Sequence, residues 1–372
     1  MTANTRSSVL VMVGTTKGAF LFRDRGGRQA FEASGPVLAG SSVPSVAFDA
    51  RGGRQRILAG ASNFFFGTSV LHSDDLGQTW SEPIDGGNIR FPESAGASLT
   101  QVWQIRPATE AEPHVVYAGV EPAALFRSED AGLTFSLVPG LWDHPHRPKW
   151  FPGNGGLGLH TILPDPNDPR RMLVAISAGG VYRTSDGGAS WQPSNVGIRA
   201  DFMPEGQRLP EYGQCVHKVA RDPANPATLY LQNHGGLYRS DDDGMQWREM
   251  ANGIPSDFGF PMVAHPRRSG TAYIVPLDGL GGRWTPDGRC RVYRTSDGGG
   301  SWQPLSDGLP QENAYITVLR DAFCADQMEQ PGLYFGTRSG ELYASFDDGE
   351  RWRLLAEHLP PVLCVRAQAL GD

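Results

Sequence analysis

Along this chain, short apolar, β-rich runs end repeatedly at Asp, Gly or Pro. Residues 228–232 and 236–240, or 332–337 and 341–345, form pairs of such runs, and each pair meets the same hairpin signal. That signal is Ser73-x-Asp75-x-Gly77-x-x-Trp80, and it returns as Thr184-x-Asp186-x-Gly188-x-x-Trp191, Ser240-x-Asp242-x-Gly244-x-x-Trp247, Thr295-x-Asp297-x-Gly299-x-x-Trp302 and Ser345-x-Asp347-x-Gly349-x-x-Trp352. A sixth copy, Ser128 to Phe135, replaces Trp with Phe, and Phe22 to Gln29 before Phe31 is a degenerate seventh. The copies start 50 to 56 residues apart, a fixed long period that signals a repeat architecture. The motif reads as a turn: the hydroxyl and Asp carboxylate accept from turn amides, Gly supplies positive φ, and Trp buries its ring beneath.

With the segment after each Trp and one strand upstream, each unit holds four strands, the blade of a β-propeller. The upstream runs at 44–49, 103–107, 160–165, 217–222 and 260–265 are the expected inner strands. The ends complement each other, since 9–13, 19–23 and 29–33 supply only three strands while 362–367 has no hairpin after it. The pattern therefore predicts an all-β, seven-bladed propeller of four-stranded blades, with the C-terminal strand completing the first blade. It also predicts one domain over residues 1–372, because no linker interrupts the period.

Composition agrees: 47 glycines and 29 prolines are roughly a fifth of the 372 residues, against about one in eight on average. A net charge of −7 gives no footprint for nucleic acid or an anionic membrane surface. The apolar run at 9–13 is too short for a signal peptide or a spanning helix, so a cytoplasmic protein is expected. Cys215, Cys290, Cys324 and Cys364 lie far apart without a Cys-x-x-Cys pair, which suits unpaired thiols.

The repeated Ser/Thr-x-Asp-x-Gly-x-Thr/Ser-Trp copies resemble the Asp-box, or BNR, repeats of sialidases, xyloglucan-degrading glycosidases, sortilin-type receptors and the propeller assembly factor of photosystem II. Stretches such as Val13 to Phe22, Glu121 to Arg127 and Gln232 to Arg239 are similar to bacterial single-domain proteins labelled glycosyl hydrolase or exo-sialidase. The resemblance covers nearly the whole chain and implies the fold; a fold hosts many functions. Sialidases are six-bladed and carry an Arg-Ile-Pro near their start, which this chain lacks, so sialidase activity is disfavoured. Xyloglucanases use two seven-bladed rings with catalytic carboxylates facing across the cleft, and this chain has one.

Chemistry is expected where the loops entering the inner strands gather with those joining second to third strands. The entering loops at 86–99, 140–158, 196–214, 252–260 and 305–314 are long, and the 276–291 insertion of blade six adds to them. His160 and His217 open neighbouring inner strands, and His234 lies in the short loop of the blade of His217. As neutral imidazoles the three suit a divalent metal or general base catalysis; the alternative is a hydrogen bond to a loop carbonyl for each. Glu121 corresponds in place to Asn233 and His234, to Arg338 and to Lys17, so all should rim one opening, Glu121 as a general acid or base or in a structural salt bridge.

Only Lys17, Lys149 and Lys218 stand against 30 arginines, and Lys17 at the rim suits a carboxylate or phosphate. Phe64, Phe65, Phe66 and Trp103 belong to an aromatic cluster of the presumed funnel, able to stack on a sugar or to pack the loops. The Gly153-x-Gly155-x-x-Gly158 spacing leads into a strand, not a helix, and reads as a flexible loop.

Three functions follow. The first is a glycosyl-hydrolase-like enzyme on a small polar or glycosidic substrate, drawing on Glu121, Asp143, Asp201, Asp257 and Glu312 as carboxylates. The second is a metal-dependent lyase or hydrolase built on His160, His217 and His234. The third is a non-catalytic binding scaffold.

Overall fold

The computed structural model describes residues 8–83, 87–279 and 281–371. Residues 1–7, the expected loop start at Gly86 and Leu280 of the 276–291 insertion lie outside the described residues. Seven antiparallel sheets form the blades of a ring. From the axis outward, blade one is Val362–Leu370, Ser8–Thr15, Gly18–Asp24 and Phe31–Val37, so the C-terminal strand supplies its innermost member. The inner strands of blades two to seven are Ser42–Asp49, Gln101–Pro107, Leu159–Pro164, Val216–Arg221, Gly259–Ala264 and Phe323–Ala325. Each touches the next around the ring, and Val362–Leu370 contacts both Ser42–Asp49 and Phe323–Ala325 to close it.

One blade departs from the expected four strands. Among the described residues blade two has three, Ser42–Asp49, Arg56–Asn63 and Gly67–Ser73. After Trp80 the chain makes a single rung: the Ser81 amide donates to the His72 carbonyl at 2.8 Å, while the His72 amide is taken by the Ser81 hydroxyl at 3.0 Å instead of a backbone carbonyl. A side chain thus replaces the second half of the ladder.

The repeated turn explains its own sequence. In blade four the Thr184 hydroxyl donates to Asp186 at 2.7 Å and accepts from the Gly188 amide at 3.0 Å, and the Asp186 carboxylate accepts from the Ser190 amide at 3.0 Å. Gly188 sits at φ +96°, a conformation that carries no penalty only without a Cβ. In the copy at Asp297, hydrogen bonds from the Ser301 hydroxyl and amide and from Thr295 lower the carboxyl to about 2. The Trp rings also join blades. Trp247 Nε1 donates to the Ser194 carbonyl and Trp302 Nε1 to the Met250 carbonyl, each at 2.8 Å on the preceding blade.

What positions the site is a repeated irregularity at the start of the inner strands. The pairing register slips between Ser42 and Ser45, Val102 and Gln104, Leu159 and Thr161, Val216 and Lys218, and Gly259 and Met262. A bulge bends a strand and re-aims the extra side chain. The residues inside these slips are Val43 and Pro44, Trp103, His160, His217, and Phe260 and Pro261.

Candidate functional site

The bulges and the loops above them enclose a cavity of about 760 Å³ on the ring axis. Every blade contributes, from Leu363 of the closing strand through Pro44, Trp103, Ser177, His217 and Phe260 to Arg320. Its walls are aromatic, with Trp103, Phe151, Phe202, Phe258 and Phe260, and its volume suits a small ligand. Loops entering the inner strands and turns joining second to third strands both line it, so the cavity opens on the face where the sequence places function.

Three arginines face this cavity: Arg283, Arg320 and Arg338. Arg320 is buried, 5.2 Å from the centroids of both Trp103 and Phe260, with Nη2 donating to the Ser177 hydroxyl at 3.2 Å. Its Nε, shielded from solvent, has no hydrogen-bond partner among the described residues. Burial pulls this guanidinium below its ordinary value, yet it remains a cation at any physiological pH. Among the described residues none of the three arginines forms an ion pair with a carboxylate. In a chain of net charge −7, unpaired cations are thereby gathered on the axis.

The one carboxylate in the described lining, Asp321, is already engaged. Lys218 Nζ of blade five donates to it at 2.8 Å, Arg366 of the closing strand pairs with it, and Gln104 of blade three reaches it at 3.4 Å. Burial alone would raise the Asp321 carboxyl; Lys218 and Arg366 outweigh it and hold the group well below the usual range. This cluster ties four blades together beneath the cavity.

On the blade-five wall, Cys215 Sγ lies 3.7 Å from His217 Nε2, and the ring of His234 is 5.5 Å from that of His217. His217 Nδ1 contacts the Gly259 carbonyl at 2.6 Å; a carbonyl only accepts, so Nδ1 carries the proton and Nε2 a lone pair. Burial, reinforced by Arg320, keeps His217 far below its ordinary pKa, and burial and Arg283 lower His234. Both rings are therefore neutral at pH 7.

The structure sorts the sequence candidates. Trp103, His217, His234 and Arg338 line the cavity. His160 does not: it is fully buried, with Nε2 2.9 Å from the Val216 carbonyl and Nδ1 3.0 Å from the Thr161 hydroxyl, so it clasps blade four to blade five. In place of His160 the fold brings Cys215 to the other two histidines. Glu121 stands behind the wall, accepting from Trp103 Nε1 at 2.9 Å. The glycine-rich loop packs onto that pair: a Cβ on Gly156 would lie 2.3 Å from the Glu121 carboxylate, and one on Gly158 2.3 Å from the Trp103 indole nitrogen.

Asn233 is buried and braces its turn through the Arg199 and Gly235 carbonyls. Lys17, Asp257 and Glu312 are exposed, and Asp143 ends a short helix; none of these four lines the cavity. Phe64, Phe65 and Phe66 project from the blade-two turn and are 94, 82 and 65 % exposed, not packed into the funnel. Sequence reasoning missed Cys215, Arg283, Arg320 and Asp321. The Cys215-x-His217 spacing was an available signal, since it sets two potential ligands two residues apart at the opening of one inner strand.

The burial of His160 has a measurable consequence. Burial, with Arg320 and Lys218 adding to it, holds this ring neutral in the fold, whereas an unfolded histidine protonates near about pH 6.5. Below that pH the unfolded chain binds the extra proton, so stability falls with pH by about 1.4 kcal/mol per unit for each such group. Urea unfolding at about pH 7.5 and about pH 5.5 should show a smaller loss in His160→Gln than in the unsubstituted protein. Equal losses would contradict this role.

Fold and site together define a seven-bladed propeller with an arginine-lined axial pocket. No protein-family model matches the chain. It is 23 % identical over 288 residues to a xyloglucanase of Hypocrea jecorina, covering 67 % of this chain and 30 % of that protein. It is 26 % identical over 293 residues to a xyloglucanase of Paenibacillus, covering 72 % and 26 %. The chain thus spans less than a third of the length of these curated relatives. The GH74 xyloglucanase structure from Xanthomonas campestris superposes with a TM-score of 0.56 at 21 % identity, over 85 % of this chain and 45 % of that one. YCF48 bound to D1 peptide superposes at 0.54 and 13 % identity, over 90 % and 94 %. The sequence likeness is thus to a stretch of each xyloglucanase, and the structural likenesses show the fold.

Proposed function

We propose that the axial cavity is the substrate site of a glycosyl-hydrolase-like enzyme acting on a small acidic saccharide. The observation that carries this reading is Arg320, a buried guanidinium in the cavity wall that forms no ion pair with a carboxylate among the described residues. A buried cation is costly without a counter-charge, and a planar carboxylate or phosphate suits its fork of donors. Arg283 and Arg338 add two more cations to the same space. Trp103, Phe258 and Phe260 offer ring faces and edges to the apolar side of a sugar. The xyloglucanase relatives support a carbohydrate as the remainder of the ligand.

The described lining does not present two free carboxylates across a bond, because Asp321 is held by Lys218 and Arg366 and Glu121 by Trp103. The uncharged titratable side chains of the described lining are those of His217, His234 and Cys215. Chemistry on the bound substrate is accordingly assigned to the blade-five wall, and recognition to the arginines.

Hydrolysis of a panel of 4-nitrophenyl uronides and the matching neutral hexosides tests this reading. Uronides should be turned over in preference, and Arg320→Leu should raise KM for them by about 10- to 100-fold, the value of a charge-assisted hydrogen bond. Equal turnover of neutral hexosides, or a variant with unchanged KM, would count against it.

A second reading, a binding scaffold, has one observation in its favour: three contiguous exposed phenylalanines, Phe64 to Phe66, on the pocket face. It requires that cavity substitutions leave function unchanged.

A further inference from the structure

We propose that Cys215, His217 and His234 form a site for a divalent cation of the zinc type, open toward the axial cavity. Their ligand atoms lie within 4.8 Å of one another. The Cys215 Sγ to His217 Nε2 separation is 3.7 Å. A tetrahedral zinc with one sulfur at about 2.3 Å and one nitrogen at about 2.1 Å has an S···N edge of about 3.6 Å, so these two ligands already stand at bonding geometry. His234 is exposed and needs only a small ring movement to join them.

The surrounding backbone holds this arrangement. The proton on His217 Nδ1 is fixed by the Gly259 carbonyl at 2.6 Å, which turns the Nε2 lone pair toward Cys215. Such an outer hydrogen bond is the usual way a metal-bound imidazole is oriented. The His234 amide donates to the Cys215 carbonyl at 2.9 Å, clamping the turn that carries one ligand onto the residue that carries another. Asn233, braced by the Arg199 and Gly235 carbonyls, keeps the same turn from shifting. All three ligands belong to one blade and its loops, so the site needs no movement between blades.

The donor set selects the metal. One thiolate and two imidazoles suit zinc, cobalt or nickel and offer nothing to magnesium or calcium, which require oxygen ligands. On binding, the Cys215 thiol gives its proton to solvent and its sulfur pair to the metal. Three protein ligands leave a fourth position free on the cavity side, the pattern of zinc sites that bind water or substrate. Arg320 and Arg283 line the same cavity, so an anion held by them would lie beside that position.

Metal content decides the matter without any substrate, so its outcome is separable from that of the saccharide reading. The protein is purified without a metal-binding tag, dialysed against micromolar Zn²⁺ and analysed by mass spectrometry, then reloaded with Co²⁺. The expected result is about one zinc per chain, and for cobalt a sulfur-to-metal charge-transfer band. Cys215→Ser should abolish that band, and Cys215→Ser, His217→Gln and His234→Gln should each weaken zinc affinity at least tenfold. His160→Gln should bind zinc as the unsubstituted protein does. Near-UV circular dichroism confirms that each variant is folded. Folded protein that retains no zinc, or a Cys215→Ser variant that binds it unchanged, would overturn the proposal.

Discussion

Asp321→Ala should destabilise the ring by about 3–5 kcal/mol, the range for removing one partner of a buried ion pair. The carboxylate neutralises Lys218 of blade five, itself pulled down to about 8 by burial, and Arg366 of the closing strand. Losing it leaves two cations facing each other beneath the cavity with Gln104 as the only polar neighbour that remains of the cluster. The positions are too far apart in sequence for local structure to compensate. Denaturant unfolding measures the loss, and a cycle with Lys218→Met separates pairing from packing. The double variant should lose at least about 1 kcal/mol less than the sum of the singles. A loss below about 1 kcal/mol in Asp321→Ala would mean the cluster is not what ties the blades at the axis.

Deleting the strand Val362–Leu370 should abolish cooperative folding. This strand pairs in register with Ser8–Thr15 from Ser8 opposite Leu370 to Gly14 opposite Cys364, and slips by one residue before Thr15 meets Val362. It buries Val362, Cys364 and Val365 completely, and its Arg366 holds Asp321. Burial of each large apolar side chain is worth about 1.5–3 kcal/mol, and the lost ladder and ion pair add to that. The total is comparable with the whole stability of an ordinary domain, about 5–15 kcal/mol. Size-exclusion chromatography and thermal unfolding read the outcome directly. A monomeric truncated chain with an unchanged transition would show that the ring does not depend on this closure.

The architecture was legible because its signals are local and repeated. Each Ser/Thr-x-Asp-x-Gly turn is built from neighbouring side chains, as at Thr184, Asp186 and Gly188, and the surplus strand at the C-terminus answered the deficit at the N-terminus. Blade two differed because a Ser81 side chain took the place of a backbone rung, which strand propensity does not register.

The site was half legible. Trp103 and His217 occupy equivalent bulges, and alignment of the inner strands was enough to find them. The same alignment also selected His160, whose bulge aims the ring at the Val216 carbonyl and away from the cavity. Arg320 escaped notice because blade seven opens with a three-residue inner strand, too short to align with the others. Lys218 stood out as one of three lysines, yet its partner Asp321 is 103 residues away, a pairing only the closed ring creates. The spacing of Cys215 from the other cysteines is uninformative, because its relevant neighbour is the histidine two residues on.

Anion recognition in the axial cavity is the role proposed for Arg283, Arg320 and Arg338. Calorimetric titration with glucuronate and with glucose, into the unsubstituted protein and into Arg320→Leu, measures it most directly. The predicted result is one glucuronate per chain, affinity at least about tenfold weaker in the variant, and glucose far weaker than glucuronate in both. Glucuronate that fails to bind, or binds no better than glucose and equally well without Arg320, would contradict it.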